Sequence, residues 1–473
     1  MSAPRRIVII GGGVSGLTCA RALSIAAKEK NEKLELVLLE ASSSFGGIIR
    51  TERQDDFVMD RGPDSWVVSK PEVRDLARSL GLQDEIVSTV EANRRVYIAQ
   101  GGELHAMPEG LMLGIPTQFM PIVKTSLFSL RGKARMALEP LVPTRHFKGD
   151  DDESIGAFIE RRLGRQVAER LVGPLLGGIF AGDAGTISVR AAFPQLIDAE
   201  EKYGSLVKAM RAQKHATIGT TKNASAFATL RGGLGRLIEK LVEDLQARSD
   251  VTLKTSAAAR TITRQTDGSF VVELESGSFE KANVLIVATP ARAAAKVVRS
   301  LDTRAGDAID DVMSTVSSAT VFFAFNRSAI HRSLDATGFI VPRSEGEDLL
   351  ASTWVSSKWN DRAPNDRVLI RGFFGGTGHD DALQRDDDDL ATRALLALRK
   401  LMPISGAPLF SRVFRFNELS PQLRVGHLVR ARALREKIAS IENLFLIGNG
   451  YDGVGVPTCV KAATETARSI VGT

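Results

Sequence analysis

Residues 7 to 10 read Ile-Val-Ile-Ile and run directly into Gly11-Gly12-Gly13-Val14-Ser15-Gly16, which opens an alanine-rich stretch of helical pattern. Strand, glycine turn and helix in that order begin a dinucleotide-binding βαβ unit. Gly11 permits the tight turn, Gly13 lets the backbone approach a pyrophosphate, and Gly16 lets the helix pack closely on the strand. The first amides of the helix, at Val14 and Ser15, then face the phosphates. Taken alone, the glycines would also fit an ordinary α/β turn. A second strand, Leu34 to Leu39, ends at Glu40, 24 residues after Gly16, where a carboxylate can accept hydrogen bonds from both ribose hydroxyls.

Further strands lie far along the chain. Val251-Thr252-Leu253 and Phe270 to Leu274 flank the turn Asp267-Gly268, and Asn283 to Ala288 reads as a buried strand. Asn443 to Ile447 is another, followed by the glycine-rich loop Gly448 to Pro457 and a terminal helix to about Val471. The nucleotide fold is therefore expected to be assembled from separated segments, which suits a flavin better than a nicotinamide.

At 473 residues the chain exceeds one hydrophobic core, so two or three domains are expected. Pro71 to Ala212 is mostly helical in pattern. Its amphipathic stretch Ile122 to Leu141 carries Lys124, Arg131, Lys133 and Arg135, which fits either a core helix or a helix in a membrane interface. Ser314 to Phe374 returns to strand pattern and reads as an antiparallel substrate-domain sheet. The acidic runs Asp150 to Glu153 and Asp386 to Asp389 each precede a helical pattern and read as caps in preference to magnesium sites. The expected divisions are 1–88, 213–300 and 420–473 for the nucleotide domain, 89–212 for the helical region and 301–419 for the sheet. The fold class is α/β, a Rossmann-like nucleotide domain with an α+β substrate domain and a helical domain.

Cys19 and Cys459 stand 440 positions apart, so no disulfide framework or zinc spacing is present, and a reducing, cytoplasmic setting is expected. The first strand starts too early for a signal peptide, and no apolar run reaches the ~18 residues of a spanning helix. The net charge of +6 is spread along the chain with three Tyr and three Trp, which argues against nucleic acid. It suits an acidic small molecule or an anionic membrane surface. The six histidines, at 105, 146, 215, 331, 379 and 427, form no metal spacing and no triad, so no metal site and no general base are assigned.

Gly11-x-Gly13-x-x-Gly16, Glu40-Ala41-Ser42, Ser44 to Thr51 with its Gly46-Gly47 pair, and the C-terminal Gly448-Asn449 to Gly453-Val454-Gly455-Val456-Pro457 together resemble the flavin amine oxidase superfamily. Asp60-Arg61-Gly62-Pro63-Asp64-Ser65, Leu104 to Pro108, Leu113-Gly114-Ile115-Pro116-Thr117, Gly178 to Asp183 and Pro421 to His427 narrow the likeness. They resemble the oxygen-dependent protoporphyrinogen oxidase and coproporphyrinogen III oxidase family, nearly end to end.

The resemblance implies FAD held by Gly11, Gly13, Val14, Ser15, Gly16, Glu40, Ala41, Gly46, Gly47, Arg50, Gly62, Pro63, Asp64, Ser65, Ala288, Gly448, Asn449, Gly453, Val454, Gly455 and Val456. It further implies six-electron oxidation of a porphyrinogen in three steps, with O2 as acceptor and H2O2 released. A methylene bridge between electron-rich pyrroles can give a hydride directly to flavin N5, so a strong base is not obligatory. The helix after Gly448 to Pro457 would stabilise the negative charge that gathers near N1 and C2=O. His427 is expected to be structural. FAD is expected to be non-covalent, because Tyr451-Asp452 stands where related amine oxidases carry the flavin-bearing cysteine. Ile48 replaces a basic residue common in the family, leaving that contact to Arg50.

For the substrate, the resemblance assigns a propionate to Arg95, with Arg94 as the rival one residue away, and gives Gly178 a backbone contact to the pyrroles. Phe339 and Trp354 would offer apolar faces to the macrocycle, or belong to the core. The segment 113–117 leans toward coproporphyrinogen III, while the residues themselves leave protoporphyrinogen IX open. Peripheral membrane contact and a homodimer are compatible with the likeness. Another amine oxidase or carotenoid desaturase activity, or a non-catalytic flavoprotein of tetrapyrrole traffic, are the alternatives.

Overall fold

The computed structural model describes residues 4–112, 115–116, 119–216 and 225–472. Leu113, Gly114 and Thr117 of the segment singled out above lie outside the described residues. Its organising element is a parallel five-stranded sheet, ordered Val251–Lys254, Leu34–Leu39, Arg5–Ile10, Val284–Val287 and Leu444–Leu446. Three stretches of chain thus supply one sheet. Its central strands are almost continuously apolar, Ile7 to Ile10, Leu36 to Leu39 and Val284 to Val287, because both faces are covered. Ile7 and Ile9 pack with Leu17, Leu237 and Val460 of the helices on one side, and Val8 and Ile10 with Ala294, Ile309 and Leu434 of those on the other.

The second sheet has seven strands, ordered Phe410–Gln422, Ser314–Asn326, Arg367–Gly375, Leu349–Trp354, Gly338–Ile340, Val96–Gln100 and Glu103–Ala106. Its strands between Ser314 and Gly375 pair antiparallel, as expected, and the sheet is mixed only because Gly338–Ile340 also pairs with Val96–Gln100 in parallel. The Val96–Gln100 strand comes from the region read as helical, where its few residues carried too little periodicity to stand out. One sheet face is closed by the helix Asp387–Leu401, whose Leu390, Ala394 and Leu398 share a core with Phe323, Phe339 and Trp354. The opposite face meets the helical region through Ile98, Ile340 and Ala351, and the hairpin Thr51–Gln54/Phe57–Asp60 through Phe322 and Leu369.

The stretch Ile122 to Leu141 is two short helices, Phe119–Lys124 and Leu130–Ala137, and a turn at Glu139–Leu141. The Ser129 hydroxyl accepts from Gly132 N and restarts the helix there. Ile122, Leu127, Phe128 and Met136 point inward, whereas Met120, Val123, Leu130, Leu138 and Leu141 stand in solvent. The stretch ends in a largely buried ionic cluster. Glu139 takes hydrogen bonds from Arg162, Ser205 and the amides of Leu206 and Val207, and Glu200 pairs with Arg161 and Arg162. Among the described residues no helix is long and apolar enough to cross a membrane.

The acidic runs divide. Asp386 caps its helix through Asp389 N at 2.8 Å. Ser154, and not the acidic run before it, caps Ile155–Leu163; Asp152 instead accepts from Gly426 N at 2.8 Å, and Glu153 pairs with Arg145 and Arg161.

Candidate flavin site

The glycine turn is dictated by close approaches. Gly11 has φ +115°, and a Cβ there would sit 2.6 Å from the Ala288 carbonyl oxygen. A Cβ at Gly16 would overlap the Gly11 carbonyl, whereas one at Gly13 would meet nothing within 4 Å. Gly11 and Gly16 are therefore small for the protein's own packing, and Gly13 faces open space in front of the helix Val14–Lys30. That cradle fits a pyrophosphate.

Glu40 is placed at the adjacent strand end. Its Oε2 accepts from Gly12 N at 2.8 Å, and Oε1 accepts from Ser42 N and Ser42 Oγ at 2.8 and 2.7 Å. With Oε1 doubly engaged, Oε2 keeps the free lone pair for a ribose hydroxyl. Arg50 stands beside it, its Nη2 on Ser42 Oγ at 2.9 Å and its buried Nε without a partner. Ala41 is exposed next to this pair. A polar cofactor end with a donor to spare fits the group, and Arg50 is where Ile48 cannot serve.

From there a path leads to the C-terminal loop. Gly46 N donates to Gly12 O at 2.8 Å, Gly47 lies against Gly13, and Gly62 packs on the Ile48 carbonyl. Pro63, Asp64 and Ser65 continue along the same edge, and Lys70 Nζ reaches Thr458 Oγ1 at 3.3 Å, in the first turn of the helix Val456–Gly472. The loop before that helix is held by Gly450 N to Gly453 O at 2.8 Å and by Asn449 Oδ1, which accepts from Gly455 N at 3.1 Å. Gly448 lies near Thr289, after Ala288, and Val454 packs toward the helical region. His427 is buried near the carbonyls of Gly450 and Val312. Burial, with Arg430 nearby, lowers its pKa, and neither ring nitrogen completes a hydrogen bond.

The chain's match to the flavin containing amine oxidoreductase family extends over residues 14–471. The chain belongs to this family. It is 36% identical over 472 residues to the coproporphyrinogen III oxidase of Bacillus subtilis (strain 168), covering 98% of each chain. It is 28% identical to the chloroplastic protoporphyrinogen oxidase 1 of Arabidopsis thaliana, over 98% of this chain and 87% of that one. A crystal structure from Exiguobacterium sp. 255-15, assigned to protoporphyrinogen oxidase, superposes with TM-score 0.87 at 30% identity, over 100% of this chain and 99% of that one. The protein is a flavoprotein oxidoreductase.

The loop meets the sheet through Val454, which packs on the cluster holding Ile340, Ala351 and Phe373, and here the site residues read from sequence separate. Gly178, in the helix Gly173–Phe180, is exposed, and its Cβ position is 3.8 Å from the Ala351 Cβ. Ala351 pairs with Phe373 and with Ile340, so these three share the face toward Gly178. Phe339 and Trp354 are one position out of phase. They are 1% and 0% exposed, pack edge to face at 6.4 Å, and lie in the core under Asp387–Leu401. Neither offers a face to a ligand. The half-buried Phe373 does, and the alternation of the pleat puts Thr353 and Arg371 on the same side.

Arg95 is also turned away. Its Nη1 lies 3.7 Å from Asp335 Oδ2, and Asp335 also takes the Tyr97 hydroxyl at 3.0 Å on the side of Trp354. Arg94 turns instead to Thr89, whose hydroxyl it reaches at 3.2 Å, next to Ser225. The sequence offered both, and only the chain's direction as it enters the Val96–Gln100 strand distinguishes them.

A charge cluster that sequence reading missed underlies the site. Burial alone would push the Asp64 carboxyl up, but Lys358 and Arg371 outweigh it and hold it well below the usual carboxylate range. Asp64 accepts from Lys358 Nζ at 2.8 Å and Trp359 Nε1 at 3.1 Å. Asp60 is raised by burial, despite Arg362 at 3.3 Å and the Thr51 hydroxyl. Arg371 is lowered by burial to about 10 and keeps its charge at neutral pH.

Proposed function

We propose that the protein binds FAD non-covalently and oxidises a porphyrinogen, coproporphyrinogen III in preference to protoporphyrinogen IX, with O2 as acceptor and H2O2 as product, in heme biosynthesis. The observation that carries this reading is the exposed Gly178 above Ala351, Ile340 and Phe373, in the apolar cluster on which Val454 of the C-terminal loop also packs. It gives a flat, largely apolar macrocycle a wall beside the flavin. The near end-to-end identity with coproporphyrinogen III oxidases supports the substrate class.

Bound FAD would supply the hydride acceptor. The chain's residues orient, neutralise and enclose. The amides of the helix after Gly13 would hold the pyrophosphate, and Glu40 the ribose hydroxyls. Asp64 is tied to Lys358 and Trp359, so it is not a free base, and His427 is buried against the Gly450 and Val312 backbone. Chemistry that needs no strong base matches this site. Arg94, half-buried and bonded to the Thr89 hydroxyl, is assigned a propionate.

Holoprotein given anaerobically prepared coproporphyrinogen III or protoporphyrinogen IX is expected, on admission of air, to yield porphyrin fluorescence and peroxide, faster with the former. Flavin retention with neither product overturns the reading. The exposed Met120, Val123, Leu130, Leu138 and Leu141 share their stretch with Lys124 and Arg131, and no acidic residue occurs from Gly110 to Leu138. That composition supports peripheral contact with an anionic membrane from a reducing, cytoplasmic side. Flotation with vesicles containing phosphatidylglycerol, and none with phosphatidylcholine alone, is the expected result.

A further inference from the structure

Arg371 lies where the segment Arg61 to Asp64 is pressed onto the sheet. Its side chain is sandwiched by aromatic rings, with the guanidinium carbon 4.6 Å from the Phe373 centroid and 5.2 Å from that of Phe322. Only 5% of the residue is exposed. Nη2 donates to the Arg61 carbonyl at 2.7 Å, and the buried Nε has no partner. The carboxylates that face it are Asp64 and Asp60, and neither pairs with it directly. Asp64 is held by Lys358 and Trp359, and Asp60 by Arg362, Thr51 and the Leu234 amide. Three buried or nearly buried cations, Arg371, Lys358 and Arg362, therefore face two carboxylates. Arg61 and Arg412, just outside, share a single Glu52. The junction carries surplus positive charge, and Arg371 is the member without a carboxylate of its own.

Buried surplus charge in a protein is costly unless something negative is placed near it. The segment that Arg371 supports packs through Gly62 on the Ile48 carbonyl, next to the Gly47 that lies against the open cradle at Gly13. We propose that Arg371 is the electrostatic determinant of the flavin's reduction potential in this protein, its unpaired charge favouring the reduced cofactor. The inference rests on the flavin reading above. Two-electron reduction with uptake of one proton leaves the cofactor with one additional negative charge. A fixed cation in a low-dielectric junction lowers the energy of that state without touching it. Arg371 would thus act together with the amide end of Val456–Gly472.

The test is a spectroelectrochemical titration of the holoprotein. Arg371→Gln is expected to shift the oxidised-to-reduced equilibrium at least tenfold toward the oxidised form, about 30 mV for a two-electron couple. Arg371→Lys, which keeps the charge, is expected to stay within threefold of the parent. Asp64→Asn, which removes an opposing charge, is expected to move the potential upward. An unchanged potential in Arg371→Gln, or an unchanged or lower one in Asp64→Asn, overturns the proposal. Should Arg371→Gln not retain flavin, the direction in Asp64→Asn decides. Failure of the flavin reading itself would show earlier, as a parent protein that takes up no flavin absorbance.

Discussion

Gly13 and Gly16 stand three residues apart on one turn, and Ala351 and Trp354 stand three apart on one strand. In the turn, one glycine opens onto a cradle and the other is closed by the Gly11 carbonyl, and both roles follow from local backbone geometry. On the strand, Ala351 looks toward Gly178 while Trp354 is sealed under Asp387–Leu401, and which looks where depends on pairing with residues far along the chain. Both pairs are small or apolar. A position's role is set locally where the backbone itself is the contact surface, and by register where side chains are.

That comparison breaks most readily at Gly16. Gly16→Val places atoms against backbone that cannot yield, so the loss should exceed the ~1–3 kcal/mol usual for overpacking. The expected outcome is little soluble protein and no bound flavin, and a folded, flavin-loaded variant would show that the turn tolerates a side chain. Next is Trp354→Ala, expected to lower stability by about 3–5 kcal/mol in chemical denaturation while leaving KM for the porphyrinogen unchanged. Phe373→Ala should do the reverse and raise KM. An exchange of those phenotypes would reverse the assigned faces.

Gly13→Ala is expected to keep the parent's melting temperature while weakening FAD at least tenfold, about 1.4 kcal/mol, in a binding titration. Unchanged affinity would remove the pyrophosphate from that cradle. The smallest effect is expected at Arg95, where alanine should cost under ~1 kcal/mol of stability and leave KM within about twofold, because its ion pair is exposed. Arg94→Ala should raise KM several-fold with kcat less affected, the pattern of a uniform binding contact. A larger KM effect at Arg95 would return the propionate to it.

How far each part was legible follows from the range of the forces involved. Glu40 could be placed from sequence because a strand of known length ends beside the turn, and the Asp386 cap because capping acts within three residues. The Asp150 to Glu153 run misled because Ser154 took the cap and Asp152 went to Gly426, 274 residues away. Phe339, Ile340 and Val341 are all apolar, so no alternation revealed which faced the site. The Val96–Gln100 strand gained its place only by parallel pairing with Gly338–Ile340.

By itself the sequence determined the nucleotide turn, the parallel sheet drawn from three stretches of chain, and the resemblance that points to a flavin. Each rests on short-range geometry or on motifs read in order along the chain. Tertiary structure alone decided that Phe373 and not Trp354 faces Gly178, that Arg95 turns to Asp335, and that Arg371 is buried with charge to spare. Those outcomes depend on strand register and on which carboxylates distant segments bring together, and neither is encoded in the spacing of neighbours.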